Sequence, residues 1–208
     1  LADLLAEVIS SGGSSSAEDH ARLIKEESHR LLEMLAGLLD MSRIDQGRLD
    51  LKREHIDLND IASESIDFHQ RFADQKSQTI VFLRSGEALA VHADPTRIRQ
   101  VCDNILSNAI KYSPSGGLIE VLMERDPDGR PVVRIRDEGQ GLTDEDKKKM
   151  FQAFQTLSAR PTGGEDSQGL GLAIAHKMVE LHEGAMWADN RSDRKGAEFC
   201  FCLPEAMD

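Results

Sequence analysis

The sequence predicts an α+β fold in which a helical hairpin precedes a layer of helices on one face of a mixed or antiparallel sheet. Two observations predict it. Residues 17–45 carry apolar side chains at a heptad-like spacing, which is typical of a long helix that packs on another helix. Farther along, strand-like runs alternate with amphipathic helices, without an internal repeat or a dinucleotide fingerprint. This order favours helices segregated on one side of a sheet.

Residues 1–46 are expected to form part of a helical hairpin. Residues 1–10 have the pattern of a helix end, Ser10–Ser16 should break the helix, and a second helix should run from about Ala17 to Asp45. Its apolar stripe needs a cover, either a second copy in a two-chain four-helix bundle or the rest of the same chain, and we favour the dimer. The stripe consists of Ile24, Leu31, Met34, Leu38 and Met41, widened by Leu23, Leu32, Leu35 and Leu39.

Residues 47–56 are expected to link this hairpin to a second domain, residues 57–208. Helices are predicted in it at 58–73, 95–112 and 170–182. Strands are predicted at 78–84, 88–92, 118–124, 131–136, 185–190 and 197–203. The turn signal Asp126-Pro-Asp-Gly129 joins the third and fourth of these strands. Cys200 and Cys202 alternate along the last strand, so both should face one side of it and pack as apolar side chains.

The composition argues against several classes of function. A formal net charge of −12 is unfavourable for a protein that binds nucleic acid over its surface, because such proteins are usually basic. Three cysteines without metal-type spacing argue against a disulfide framework or a zinc site, and they fit a reducing, cytoplasmic environment. No apolar run approaches the roughly 20 residues that span a bilayer, so we expect any membrane anchor to lie upstream of Leu1.

The most informative stretch is residues 104–112, Asn-Ile-Leu-Ser-Asn-Ala-Ile-Lys-Tyr. Asn104, Asn108 and Lys111 recur at i, i+4 and i+7, so a helix stacks them on one face. The apolar face of the same helix is formed by Ile98, Val101, Ile105 and Ala109. Such a helix can be fixed to a core while it offers metal and phosphate ligands. The alternative is an ordinary amphipathic helix whose polar residues lie in water.

Two glycine motifs follow. Residues 137–142, Asp-Glu-Gly-Gln-Gly-Leu, end a predicted strand, and their glycines let a flat ligand approach closely. The carboxylate of Asp137 can accept the amino hydrogen of adenine and would repel the carbonyl of guanine, unless it only caps a turn. Residues 169–172, Gly-Leu-Gly-Leu, open a helix whose unpaired N–H groups suit an anion, unless they are only a glycine-rich helix start.

Residues 143–168 separate the two glycine motifs and are too many for a passive connection. We interpret them as a mobile lid that is hinged on glycines and anchored at its base by Phe151 and Phe154. The lysines at 147–149 are expected to form a solvated helix face rather than a phosphate clamp. Arg160 is either a phosphate ligand or an exposed residue of the loop.

The order and spacing of these motifs resemble the N, G1, F and G2 boxes of sensor histidine kinases. The resemblance covers nearly the whole chain and implies the Bergerat-type ATP-binding α/β sandwich that gyrase, the Hsp90 chaperone and the MutL mismatch-repair protein share. One departure is Ser167, which stands where a glycine is common. The other is the missing phosphoacceptor histidine box, which we expect upstream of Leu1. His20 and His29 lack the residues that follow an acceptor histidine, so we expect neither to accept phosphate.

By this resemblance Asn108 ligates Mg²⁺ beside Asn104, Lys111 reaches phosphate, and Tyr112 flanks the nucleotide. Asp137 recognises the adenine base. The full set expected to contact ATP is Asn104, Asn108, Lys111, Tyr112, Asp137, Gly139, Gly141, Leu142, Phe154, Arg160, Gly169, Leu170, Gly171 and Leu172. No catalytic residue is expected within the chain, because the acceptor histidine is absent from it.

The implied function is that of the ATP-binding catalytic part of a two-component sensor histidine kinase. Such a kinase transfers the γ-phosphoryl of ATP to a histidine and then to a response-regulator aspartate. The implied partners are a second copy, through the N-terminal helices, and a response-regulator receiver domain. An alternative is a pseudokinase-like module that senses nucleotide or binds proteins without histidine autophosphorylation. An ATP-gated clamp of the gyrase or Hsp90 kind is disfavoured by the heptad-like helix.

Overall fold

The computed structural model describes residues 14–163 and 169–206, and the chain divides into two compact units, residues 1–48 and 49–208. The described element of the first unit is one helix, α1 (Ser14–Asp45). It begins inside the stretch expected to break the helix, so that expectation is wrong for residues 14–16. Serine hydroxyls bond nearby backbone groups and therefore suit the first turn of a helix. The helix end expected over residues 1–10 lies outside the described residues.

Five leucines in the second half of α1 are exposed. Leu31, Leu32, Leu35, Leu38 and Leu39 are between 40% and 62% exposed. A helical partner would cover such a row of exposed apolar side chains. The dimer is therefore still expected, and it stays a prediction. Among the described residues no helix, α1 included, has the length and apolar content needed to cross a bilayer.

The described part of the second unit contains a mixed sheet, a strand pair and four helices. The helices are α2 (Leu58–Gln75), α3 (Pro95–Tyr112), α4 (Asp144–Lys149) and α5 (Gly171–Leu181). The strands are β1 (Glu54–Asp57), β2 (Thr79–Leu83), β3 (Ala90–Ala93), β4 (Leu118–Arg125), β5 (Pro131–Arg136), β6 (Ala185–Asn190) and β7 (Ala197–Cys202). The sheet order is β2-β4-β5-β7-β6, with β2 parallel to β4 and the other neighbours antiparallel. The predicted α+β class is confirmed.

The sequence patterns do not predict β1, and they predict α4 only through the helix face expected for the lysines at 147–149. The first three residues of β1 lie inside the expected linker, and the strand pairs antiparallel with β3, with Ile56 opposite Val91. Only one of its four residues is apolar, so no alternation is visible in the sequence. α4 begins with a capping box, in which Thr143 and Asp146 each accept a hydrogen bond from the other's backbone N–H.

α3 occupies the centre of the helical layer, between α2 and α5. The side chain of Asp94 caps its first turn by accepting from the N–H of Arg97, and Pro95 supplies a backbone angle suited to a helix start. Its predicted apolar face, Ile98, Val101, Ile105 and Ala109, is at most 2% exposed. This burial fixes the orientation of the helix and leaves its polar face at the edge of the core.

The sheet has one apolar and one charged face. Ile135, buried opposite Phe199, lies on the apolar face. Arg134, the neighbouring residue of β5, points the other way and pairs with Glu124 at 2.6 Å and Glu198 at 2.8 Å. The three cysteines are all buried and unpaired, and Cys200 and Cys202 lie beside Val132 on the charged face, as their spacing predicts.

A buried histidine ties the end of α5 to the start of α3. His182 Nδ1 lies 2.7 Å from the carbonyl oxygen of Met178, and Nε2 lies 3.0 Å from the backbone nitrogen of Asp94. A carbonyl only accepts and an amide only donates, so Nδ1 carries the proton and Nε2 must be unprotonated. Burial accordingly lowers the pKa of His182 below its ordinary value.

We expect acid to destabilise the fold through His182. Because its pKa is lower in the folded chain, the unfolded chain takes up the proton first as the pH falls below about 6.5. The free energy of unfolding should therefore drop from that pH down to the folded-state pKa and then level off. Denaturant titrations at about pH 7.5 and about pH 5.5 measure this. His182→Gln should reduce the difference in the free energy of unfolding between the two pH values. His55→Gln, which changes an exposed histidine, should leave that difference unchanged. The same difference in both variants would contradict the assignment.

Candidate functional site

The polar face of α3 presents three side chains about one helical turn apart. Asn104, Asn108 and Lys111 are all half-buried. Asn104 lies against the start of α5, since a Cβ atom added to Gly171 would be 3.0 Å from its Oδ1 atom. The carboxamide of Asn108 makes no hydrogen bond to any other residue that the structure describes. Its oxygen therefore remains available to an outside ligand.

The C-terminal end of α3 is held by two other segments. Lys76 Nζ donates to the carbonyl oxygens of Ile110 at 2.8 Å and Lys111 at 3.2 Å, and Gln78 Nε2 donates to Ile110 at 3.0 Å. Thr162 of the predicted lid donates from its backbone N–H to the carbonyl of Lys111 at 3.0 Å. The hydroxyl of Thr162 also accepts a hydrogen bond from Lys76 Nζ at 2.7 Å. These bonds satisfy the last carbonyls of the helix and join them to the lid.

Asp137 is buried just after β5, with 4% of its surface exposed. Its Oδ1 atom accepts the N–H groups of Gly139 at 2.7 Å and Ala197 at 3.1 Å. Its own N–H donates to the carbonyl of Ala197, and its carbonyl accepts from Arg191. The Oδ2 atom makes no hydrogen bond to the described residues, yet it is not sealed from solvent. One carboxylate oxygen is thus left for a ligand.

Burial raises the pKa of Asp137 above its ordinary value. The N–H donors of Gly139 and Ala197 and the charge of Arg191 lower it again, but not by as much. A carboxyl group that has lost most of its water forms a stronger hydrogen bond with a donor that enters the site. Asp137 is therefore suited to bind a neutral N–H donor.

The turn after Asp137 is fixed from β6. Gly141 has a φ of +82°, and a Cβ atom there would lie 2.8 Å from Oδ1 of Asn190. That same Oδ1 accepts the N–H of Leu142 at 2.6 Å, and Asn190 Nδ2 donates to the carbonyl of Leu142 at 2.9 Å. The side chain of Asn190 thus takes the place of a paired strand and holds the glycine turn.

The second glycine motif starts α5 without a side-chain cap. Leu170, the residue before the first turn, is 4% exposed and makes no capping hydrogen bond. Gly169 has a φ of +67°, and its Cα is packed on the backbone of Gln155 so that no side chain would fit. The N–H groups of the first turn, from Gly171 and Leu172 onward, are consequently suited to an anion.

Asp146 organises the described part of the predicted lid, residues 143–163. It is 1% exposed and accepts from the N–H and hydroxyl of Thr143 at 3.0 and 2.7 Å. It also accepts from the N–H of Ser158 at 2.8 Å and from its hydroxyl. Burial alone raises the pKa of Asp146, but the hydrogen bonds from Ser158 and Thr143 outweigh it and lower this pKa to about 2. One ionised side chain therefore joins residues 143 and 158 within the lid.

The two phenylalanines of the lid behave differently. Phe151 stacks on His176 of α5, with ring centroids 4.6 Å apart, as expected for an anchor. Phe154 is 62% exposed, so the expectation that it also anchors the lid is wrong. The side chain of Arg160 is exposed as well, and its carbonyl accepts from Gln140 Nε2 at 2.8 Å. The predicted hinge residue 164 and residue 167 lie outside the described residues.

The structure brings predicted residues together in two places. Asn104 meets Gly171, and a Cβ atom at Gly139 would lie 3.0 Å from the carbonyl oxygen of Tyr112. The side chains of Phe154 and Arg160 extend into solvent instead. The sequence interpretation missed Lys76, Asp146, Thr162, Asn190 and Arg191. Only Asp146 had a local signal, because Thr-x-x-Asp before a charged run resembles a capping box.

Known proteins share this sequence pattern. Residues 93–207 match the family model described as histidine kinase-, DNA gyrase B- and HSP90-like ATPase. The chain is 35% identical over 183 residues to the sensor histidine kinase WalK of Bacillus subtilis (strain 168), an alignment that covers 86% of this chain and 29% of WalK. The chain thus spans less than a third of the length of that relative.

Solved structures share the fold. The nucleotide-free catalytic domain of histidine kinase ThkA is 31% identical, with a TM-score of 0.64 over 74% of this chain and 96% of that one. ThkA in complex with the response regulator protein TrrA matches at 24% identity and a TM-score of 0.77, over 99% of this chain and 56% of that one. Full-length ShkA in complex with AMPPNP matches at 24% identity and a TM-score of 0.78, over 94% and 40%.

Removal of the Asp146 carboxylate should loosen the lid. Asp146→Ala deletes the acceptor of four hydrogen bonds from Thr143 and Ser158. We expect amide hydrogen exchange over residues 143–160 to become at least about tenfold faster, since hydrogen bonds to a charged group contribute roughly 1.5–3 kcal/mol. Asp144→Ala, on an exposed residue of the same first turn, is the control. Equal exchange in the two variants would refute the role of Asp146.

Proposed function

The chain belongs to the family of histidine kinase-, DNA gyrase B- and HSP90-like ATPases, and we propose that its second unit is the ATP-binding catalytic part of a two-component sensor histidine kinase. It binds ATP with Mg²⁺ and presents the γ-phosphoryl to a histidine, from which a response-regulator aspartate receives it. The observation that carries this proposal is Asp137, because every polar atom of this buried residue except Oδ2 is paired within the chain.

Adenine is the base that this arrangement fits. Oδ2 of Asp137 can accept a hydrogen from the amino group of adenine, whereas guanine offers a carbonyl at the same place. Gly139 is buried, and any Cβ there would crowd Asp137 and Tyr112, so the backbone stays close to the base. The complex of the structurally similar ShkA with AMPPNP, an adenine nucleotide, supports this choice.

The phosphates and Mg²⁺ are proposed to lie between α3 and the start of α5. Lys111 and the uncapped first turn of α5 supply positive potential there, and Asn104 is next to Gly171. Asn108 offers a carboxamide oxygen, a ligand that suits Mg²⁺. When bound, Mg²⁺ neutralises phosphate charge and orients the phosphate oxygens. The chain contributes the positions of the donors, which is the main requirement for phosphoryl transfer.

The proposed partners follow from the same family. The exposed leucines of α1 suit a dimer with a second copy of the chain. A receiver domain of a response regulator is the proposed acceptor of the phosphoryl group, as the complex of ThkA with TrrA suggests by analogy.

Asp137→Asn tests the adenine site. The amide oxygen can still accept from Gly139 and Ala197, and the substitution removes an ionisation that burial disfavours. The pKa of Asp137 is raised in the folded chain, so above pH of about 4 ionisation favours unfolding, and the variant should be at least as stable as the parent. We expect ATP affinity to fall about 10- to 100-fold, measured by calorimetry, while the melting temperature holds. Unchanged ATP affinity would rule out the adenine role.

Phosphoryl transfer is tested by supplying the acceptor separately. The chain is incubated with Mg²⁺, γ-labelled ATP and a helical hairpin that carries the phosphoacceptor box of the family. We expect acid-labile label on the hairpin and none on the chain. Asn108→Ala should reduce the initial rate at limiting Mg²⁺ by at least about tenfold, since it removes a metal ligand. Gln100→Ala, on the same helix, should not.

The outcomes separate two functions. Label on the hairpin that depends on Asn108 supports the kinase. Tight binding of Mg-ATP without label on the hairpin favours instead a module that senses nucleotide or binds proteins. Label retained by the chain itself would mean that one of its own histidines accepts phosphate, against the expectation for His20 and His29.

A further inference from the structure

We propose that Arg191 is a positioning residue that sets the orientation of the Asp137 carboxylate and so determines how strongly the site prefers adenine over guanine. This inference rests on the proposed adenine role of Asp137. It assigns a function to a charged side chain that lies behind the nucleotide site, on the loop between β6 and β7, and that has no place in the motifs found in the sequence.

The guanidinium of Arg191 is enclosed by the fold. Its side chain is 0% exposed. Nη2 donates to Glu120 at 2.5 Å and to Asp193 at 2.9 Å, and Nε donates to the other oxygen of Asp193 at 3.0 Å. Nη1 reaches the carbonyl oxygen of Asp137 at 3.4 Å. Two carboxylates therefore fix the guanidinium of Arg191, and its Nη1 atom faces the backbone of Asp137.

This contact completes the set of hydrogen bonds around Asp137. The carbonyl of Asp137 accepts from Nη1 of Arg191, its N–H donates to Ala197, and its Oδ1 accepts from two backbone N–H groups. Asp137 can therefore neither rotate nor shift without losing a hydrogen bond. Oδ2 is then held in one place for a ligand. The fixed positive charge also favours the ionised carboxyl group, which burial disfavours.

The loop after Arg191 is shaped to make this contact. The N–H of Arg191 donates to the carbonyl of Gly196 at 3.1 Å, which closes residues 191–196 into a tight loop. Gly196 has a φ of +144°, and a Cβ atom there would collide with the carbonyl of Asp137 and lie 3.0 Å from Cδ of Arg191. The absence of a side chain at Gly196 thus lets Arg191 and Asp137 meet.

A stabilising role of Arg191 has to be separated from a positioning role. Removing one partner of a buried ion pair is destabilising in itself, so the comparison needs a second arginine that is paired in the same way. Arg134 provides a comparison on the same sheet. It also pairs with two carboxylates, Glu124 and Glu198, and its side chain is 20% exposed. None of its hydrogen bonds goes to Asp137.

The experiment compares ATP and GTP affinity in Arg191→Met and Arg134→Met, with melting temperatures to confirm folding. The two nucleotides share the triphosphate, so the ratio of their dissociation constants isolates the base. We expect Arg191→Met to reduce the preference for ATP roughly tenfold, because Oδ2 loses its fixed position. Arg134→Met should keep the parent ratio. Arg191→Lys keeps the charge and should recover part of the preference.

Each outcome decides one question. Equal ratios in Arg191→Met and Arg134→Met overturn the role of Arg191, provided that Asp137→Asn still loses ATP. If Asp137→Asn keeps ATP affinity and preference, the proposed adenine site itself fails. Should Arg191→Met not fold, Arg191→Lys and Arg134→Lys replace the methionine pair. A reduced preference in Arg191→Lys alone then supports the inference, and equal preferences overturn it.

Discussion

The buried carboxyl group of Asp137 constrains both the order of the sheet and the turn that follows β5. A carboxylate removed from water must be hydrogen-bonded, and the donors for Oδ1 are two backbone N–H groups, on Gly139 and Ala197. Ala197 can supply one only because β7 is the direct neighbour of β5 in the sheet. Gly139 supplies the other from the turn that follows the strand, where a Cβ atom would crowd Asp137 and Tyr112. The sheet order and the glycine motif therefore serve the same oxygen atom.

α3 transmits the rigidity of the core to the other half of the site. Its apolar face is buried, and both of its ends are bonded to other segments: Asp94 to His182 at the start, and Ile110 to Lys76 and Gln78 at the end. A helix held along one face and at both ends cannot roll or slide, so its polar face keeps a constant position relative to α5. The binding groups on this helix depend on contacts made behind it.

Local sequence patterns predict the regular elements well and the supporting contacts poorly. The bounds predicted for α3 and for the strands over 131–136 and 185–190 match the structure, because periodicity and caps act within a few residues. β1 is too short to show a period, and α4 is signalled only by its capping box and by the lysines expected on a helix face. Asn190 and Arg191 act on residues 48 and 54 positions away. Only the folded sheet makes those pairs neighbours, so a single sequence holds no pattern for them.

Local charge, rather than net charge, explains how an acidic chain can offer a site for a polyanion. The net charge is −12, yet several carboxylates near the sheet are neutralised in place, Glu124 and Glu198 by Arg134 and Glu120 by Arg191. On the opposite side, the uncapped start of α5 supplies positive potential from backbone dipoles, which add nothing to the net charge. Because salt screens charges beyond about 8–10 Å, a phosphate group responds to those nearby donors far more than to the total charge. Local backbone geometry, rather than composition, therefore governs which ligand this surface can hold.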